Sequence, residues 1–492
     1  VNNKLIYYSL SVALVFANTV NAGTASSGKQ NANGLTTETT SPWEVTATTG
    51  LSLTRGNAEN LLFNASILAS YLTEKDTLYI GADYYYGETS GTQSVNNLHG
   101  YVTYDRLIND WFYYGINNDY FQDDQRSLDY RIATVPKVGA YLVKNERAKL
   151  AIEGGFGYVW EDQGVEDSYT TFFFGEKFEY QLTSNTKFFQ TAGFAPEAGD
   201  FDNYLLIVEA GIETALSEHW ALKVSGRDIY DGTPAAGLEK NDLIIAASLA
   251  WSAAGFSKPK PGPTRRTLKP PAALPSPIAK GWTNTANFGF GLTSGNSETL
   301  VGTVGYVANY HGEKDDFSFA VTGAYGETNS TVNTQNALVV TTYKNDLGPV
   351  YWGAGVSFLY NDIADVDYRV NPALLLGKYL VKNDKLVLSV DVGPAFVFEK
   401  VGGVSDSYFA LQASEKLEWK ITDSIAIGQS VYFVPRADDL GDYQILASAY
   451  IDAAMTDDLS LRVTVSDTYD STPAAGRDAN DLLVTAGIAV RF

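Results

Sequence analysis

The chain has 492 residues, with 57 acidic against 35 basic side chains, a formal net charge of −22, no Cys, 3 His, 44 Gly and 32 Tyr. An apolar fraction of 45% excludes a disordered chain, and the lack of Cys excludes a disulfide framework, a thiolate metal site and a cysteine nucleophile. The acidic balance argues against nucleic acid as a partner, because binding phosphates needs Lys and Arg; with so few His, no metal site and no cofactor is expected.

Residues 1–22 have the layout of a secretory signal peptide. Lys4 supplies the basic start, residues 5–17 the apolar run, and Val20-Asn21-Ala22 a small-x-small cleavage site, so the mature chain is expected to begin at Gly23. The run is too short to cross a bilayer as a helix, and no long apolar stretch follows. Residues 23–42 are small and polar, as in a flexible leader.

From Trp43 the pattern is that of strands. Trp43, Val45, Ala47, Thr49, Leu51 and Leu53 alternate with more polar residues, and Leu61, Phe63, Ala65, Ile67, Ala69 and Tyr71 do so again. Tight turns are expected at 73–76, 109–110, 144–147, 183–185 and 217–219, and longer polar connections at 55–60, 87–96, 122–127, 161–168, 196–203 and 228–242. Strict alternation of short and long connections gives about twelve strands of roughly 10–16 residues, the length a tilted strand needs to cross a bilayer. A soluble sandwich has no reason to sort its loops by side; a transmembrane barrel does. Most of the negative charge falls in the long connections, which fits either solvated loops or a calcium- or magnesium-bridged contact with lipopolysaccharide.

Some charges fall on the polar rows. Counting back from the turn at 217–219 places Glu213 opposite Lys223 and Glu209 opposite Arg227. Such pairs either brace the barrel or line an ion path. Glu176 breaks the pattern, because it shares the lipid row with Phe172, Phe174, Phe178 and Tyr180; a bulge near Gly175 that turns it inward is expected, with a protein contact as the alternative. His99 lies on a strand and His219 and His311 in turns, without a Ser or Asp arrangement for hydrolysis, so no catalytic residue is assigned and an enzyme is not expected.

Residues 254–281 are Pro-rich and basic and read as an extended linker, a stiff spacer or a strap on anionic surface. Residues 282–492 then repeat 43–253. Tyr86-Gly87-Glu88-Thr89 recurs as Tyr325-Gly326-Glu327-Thr328, Asp129-Tyr130-Arg131 as Asp367-Tyr368-Arg369, and Thr233-Pro234-Ala235-Ala236-Gly237 as Thr472-Pro473-Ala474-Ala475-Gly476. A period this long marks a duplicated domain. In the second copy Asp452 faces Arg462, Ser448 faces Ser466, Glu415 replaces Glu176 and Leu338 replaces His99. The eight Trp fall near inferred strand ends, where an interfacial girdle sits.

The chain closes on Gly487-Ile488-Ala489-Val490-Arg491-Phe492. Gly487, Val490 and Phe492 resemble the assembly signal of bacterial outer-membrane barrels, which implies recognition by the barrel assembly machinery. The copies together resemble the family of salt-induced outer-membrane proteins, a domain-of-unknown-function family, through Trp43…Gly50…Thr54…Gly56-Asn57, Asp129-Tyr130-Arg131, Glu176…Glu179-Tyr180, Asn241-Asp242 and their counterparts. That resemblance implies an outer-membrane β-barrel with salt-linked expression and supplies no catalytic residues. Members are typically single-copy. The expectation is an all-β chain of two tandem, antiparallel, up-and-down transmembrane barrels of about 12 strands each, with one barrel of about 24 strands as the alternative. Its place is the outer membrane of a Gram-negative bacterium, among lipid and lipopolysaccharide. Its function is a narrow, porin-like or osmotic-stress channel. The alternatives are a non-conducting structural or lipopolysaccharide-binding barrel and, last, a hydrolase. Oligomeric state is left open.

Overall fold

A computed structural model describes residues 42–55, 60–89, 91–253, 255, 274–294 and 299–492. The segment expected to be a signal peptide, nearly all of the expected leader and most of the expected linker lie outside the described residues.

The first copy forms β1 (Trp43–Arg55), β2 (Asn60–Leu72), β3 (Asp76–Thr89), β4 (Thr92–Leu107), β5 (Phe112–Asp123), β6 (Leu128–Lys144), β7 (Ala148–Asp162), β8 (Glu166–Gln181), β9 (Thr186–Pro196), β10 (Tyr204–Ala215), β11 (Trp220–Asp231) and β12 (Asn241–Ser252). The second forms β13 (Gly281–Ser294), β14 (Thr299–His311), β15 (Asp315–Thr328), β16 (Thr331–Asp346), β17 (Tyr351–Asn361), β18 (Val366–Lys382), β19 (Leu386–Val401), β20 (Val404–Lys420), β21 (Ile425–Pro435), β22 (Tyr443–Ala454), β23 (Leu459–Asp470) and β24 (Asn480–Arg491). Each strand pairs antiparallel with the next. The first ring closes where Thr46–Thr49 of β1 meet β12, and the second where Thr285–Gly289 of β13 meet β24. These are two twelve-stranded barrels.

The rings are not separate along their whole height. Beyond the closing contacts, toward the long-loop end, Leu53, Thr54 and Arg55 of β1 pair with Val484, Leu483 and Leu482 of β24. Leu243, Ile244 and Ile245 of β12 pair with Ser294, Thr293 and Leu292 of β13. Each closing strand therefore changes partner partway up, so the hydrogen-bonded wall is two circles at the short-turn end and one continuous circuit at the other. Close approach at the seam explains Gly487: a Cβ there would run into the Phe288 carbonyl.

Period two assigns the faces. Ile67, Val138, Phe156, Leu374, Val392 and Phe409 stand exposed on the outside, an apolar surface suited to hydrocarbon. Trp43, Trp111, Trp220, Trp282, Trp352 and Trp419 stand exposed at the short-turn end, with Trp251 half-buried beside them, while Trp160 lies toward the opposite end. The Trp residues thus gather mostly at one end, while Tyr158, Tyr325 and Tyr368 stand exposed with Trp160 toward the other. Where the barrels touch, outward residues are buried: Ile212, Leu222 and Val224 of the first copy pack with Ala453, Met455 and Leu461 of the second. Asn185 Nδ2 donates to the Ala454 carbonyl at 3.3 Å across the same contact.

Two expectations need correction. The connections at 87–96 and 161–168 are mostly strand, because the polar residues continue the ladder as projecting hairpins. The counterpart turn between β15 and β16 has Asn329 (φ 47°) and Ser330 (φ 61°) both left-handed, the two-residue geometry that fits strand twist. Polarity there marks exposure to water, not the end of a strand. The bulge near Gly175 is also absent: β8 pairs in unbroken register with β7 and β9, and Glu176 stays outward. Gln190 Nε2 donates to it at 3.1 Å, and Gln429 does the same for Glu415 at 3.0 Å, so a neighbouring amide on the same row answers each carboxylate.

Candidate functional site in the two lumens

The expected registers are present. Glu209 faces Arg227, Glu213 faces Lys223 and Asp452 faces Arg462 on lumen rows. The ion contacts differ in the first copy. Lys223 Nζ reaches diagonally to Glu209 at 2.8 Å, Glu213 takes Lys187 of β9 at 2.9 Å, and Arg227 lies 5.8 Å from the ring centres of Tyr85 and Phe121 on the far wall. Long side chains in a narrow tilted barrel reach past their nominal partner. Asp452 and Arg462 pair as expected, bidentate at 2.7 and 2.6 Å.

The first lumen is crowded with groups of this kind. His99 sits between Asp83 at 3.6 Å and Asp119 at 3.2 Å and stacks near Tyr101. Lys223 lies 4.8 Å from the Phe189 ring. Phe121 and Leu128 meet Ile229 across the interior, backed by Leu205 and Ile207. Lower down, Glu153 accepts from Lys137 at 2.6 Å, Lys177 at 2.9 Å and the Tyr113 hydroxyl at 2.9 Å. At the long-loop mouth Arg126 donates to the Ile229 carbonyl at 2.6 Å and pairs with Asp242 at 2.8 Å.

The second copy puts smaller, neutral residues at the same places. Asp83, His99 and Asp119 become Thr322, Leu338 and Ser357; Tyr85 and Tyr101 become Ala324 and Val340; Phe173, Glu209 and Arg227 become Gln412, Ser448 and Ser466. One aromatic changes strand. In the first copy Phe189 of β9 covers Gly211 of β10, and in the second Tyr450 of β22 covers Gly428 of β21. The result is a cavity of about 360 Å3 lined by residues including Asn287, Thr303, Ser430, Tyr432, Ser448 and Arg462.

Both ends of that cavity are crossed. At the long-loop end Arg369 Nη2 bonds Asp470 at 2.8 Å and Asn361 Nδ2 bonds Asp481 at 3.1 Å, tying opposite walls. At the short-turn end the last residues of the linker run beneath the barrel. The Leu274 N–H donates to the Asp423 carbonyl at 2.7 Å, Ser276 Oγ to Asp384 at 3.4 Å, and Pro277 and Ile278 line the cavity. Those turns lie across the ring from β13, so this segment is a strap over the mouth.

Charge counting on one hairpin missed the rim and floor groups. Arg369, with Glu399 at 2.5 Å, and its counterpart Arg131, with Glu161 at 3.4 Å, belong to the repeated Asp-Tyr-Arg motif; that repetition was the available signal. Lys344, with Asp391 at 3.2 Å, had no such marker, since its first-copy equivalent is Asp105.

Closed antiparallel cylinders with apolar exteriors and polar interiors define a transmembrane β-barrel protein. The chain belongs to the family described as "Protein of unknown function, DUF481", whose pattern matches residues 47–252 and again 286–492. No curated protein is a detectable relative. Among solved structures, the NanC porin is 8% identical, with 44% of this chain and 99% of that one covered and a TM-score of 0.28. The KdgM porin is 10% identical, with 43% and 99% covered and a TM-score of 0.25. The siderophore receptor PirA from Pseudomonas aeruginosa is 7% identical, with 93% and 81% covered and a TM-score of 0.25. Similarity at this level does not bear on what the chain does.

Proposed function

We propose that this is an outer-membrane protein of a Gram-negative bacterium in which the second barrel is a narrow solute path and the first is a braced, non-conducting wall. The short-turn end faces the periplasm, as the linker strap and the Trp girdle there would have it. The observation that carries the reading is the exchange of Asp83, His99, Asp119, Glu209 and Arg227 for Thr322, Leu338, Ser357, Ser448 and Ser466 between copies of one fold. Crowded, mutually paired charges and rings stiffen an interior; small hydroxyls leave room for water. The polar ties at the outer mouth make the resting path tight. The family resemblance adds that expression rises with external salt.

Single-channel recording of the full chain in a planar bilayer tests this. One small conductance step per molecule is expected, abolished by the double change Ser448→Glu with Ser466→Arg, which copies the first lumen into the second. Steps that persist in that variant while it keeps its heat-modifiable folded form assign conduction elsewhere. Silence of the folded parent protein favours the structural role.

A further inference from the structure

The chemistry of the second lumen also speaks to what it takes, an inference that rests on the conduction reading above. Most charges pointing into the cavity are met by an opposite one close by, and Asp481 is met by the Asn361 amide at 3.1 Å. Lys344 lies 3.2 Å from Asp391, Lys416 3.1 Å from Glu418, Arg462 2.6 Å from Asp452, and Asp316 2.9 Å from His311 and 3.3 Å from Lys382. An ion entering such a space gives up hydration and gains no unpaired countercharge. A neutral hydroxylated molecule exchanges its water bonds for the hydroxyls and amides of Asn287, Thr303, Ser430 and Ser448.

Three buried acceptors are left over among the lining residues. Asp467 Oδ1 sits on an outward row, while Thr334 Oγ1 and Asn333 Oδ1 lie near the outer end of the cavity; none has a hydrogen-bond partner among the described residues, and Thr334 is only 5% exposed. Buried polar atoms without partners are unfavourable unless water or a ligand meets them. Tyr432 and Tyr450 offer aromatic faces on the opposite wall. A volume of about 360 Å3 falls within the range of small-molecule sites.

We infer that the second barrel holds a binding site for a small, uncharged, polyhydroxylated solute of the sugar-alcohol class, seated between the Thr334–Asn333 corner and the tyrosines.

Swelling of proteoliposomes carrying the full chain reads this out. The solutes are isosmotic ribitol, sodium gluconate and glucosamine hydrochloride, which are close in size and differ in charge. Ribitol is expected to enter several-fold faster than either ion. Thr334→Val should weaken half-saturation by ribitol about threefold, the loss of one hydrogen bond, and S448E with S466R should return ribitol flux to that of empty vesicles. Equal or faster entry of either ion overturns the inference, as does ribitol half-saturation unchanged in Thr334→Val. Ion conductance in the planar bilayer without ribitol entry sinks this inference and leaves the channel reading standing. Silence of the folded protein in both assays sinks both.

Discussion

Arg462 and Asp452 are both largely buried and satisfy each other, so neither can be removed cheaply alone. Arg462→Met is expected to lower stability by about 3 kcal/mol, because Asp452 is left buried and uncompensated, whereas Arg462→Met with Asp452→Leu should be close to neutral. Urea titration of the barrel in lipid vesicles, followed by Trp fluorescence, measures both. Glu176 and Glu415 present the opposite case, a carboxylate on a lipid-facing row relieved only by a glutamine. Replacing Glu176 and Gln190 together by Leu should raise stability by about 1 kcal/mol in the same titration; a loss would mean that the outer face meets another protein there. These residues also mark how far sequence reaches. Facing positions on one hairpin follow from counting back from a turn, so Glu209–Arg227 and Asp452–Arg462 could be placed opposite each other. Which of two nearby carboxylates a lysine chooses depends on tilt and side-chain reach across the interior, and neither is written in one strand.

At the level of elements, the strands, their number and their inward rows were readable because alternation and turn residues are local signals. Hairpin height was not. The run Tyr86-Gly87-Glu88-Thr89 is polar whether it forms a loop or a wet ladder, and only pairing to Thr92, Gln93 and Val95 decides the matter. The strap was equally hidden, because Leu274, Pro277 and Ile278 look like ordinary linker until they are seen beneath the barrel. Leu274 is 4% exposed where it docks. Leu274→Asp should free the strap, and the expected readout is a larger unitary conductance with no change in the heat-modifiable band. Gly487→Val should act on the seam instead: with the Phe288 carbonyl in the way, the folded band is expected to weaken or vanish on unheated gels.

At the level of the whole molecule, two rings of twelve and one circuit of twenty-four are not exclusive descriptions of the hydrogen bonding, although the barrels themselves number two. Repetition in the sequence told the number of copies; it could not tell that β1 and β24, at opposite ends of the chain, share a ladder. Because the protein has no Cys, this pairing is directly testable. Leu53→Cys with Val484→Cys should form an oxidisable cross-link. After proteolysis of the linker that link should hold the halves together on a denaturing gel, and the same halves should separate under reducing conditions. Without the cysteines, cutting the linker should leave the halves associated in mild detergent, held by the Leu222–Leu461 contact and the exchanged strand ends.

Tandem copies in most proteins can be shed one at a time, since each is finished in itself. Here the upper backbone groups of Leu53, Thr54 and Arg55 find their partners in the other copy, and a lone descendant would leave those groups unpaired along an open strand edge. Gene doubling has in this way become hard to reverse: a lineage that lost either half would first have to mend the rim of the survivor.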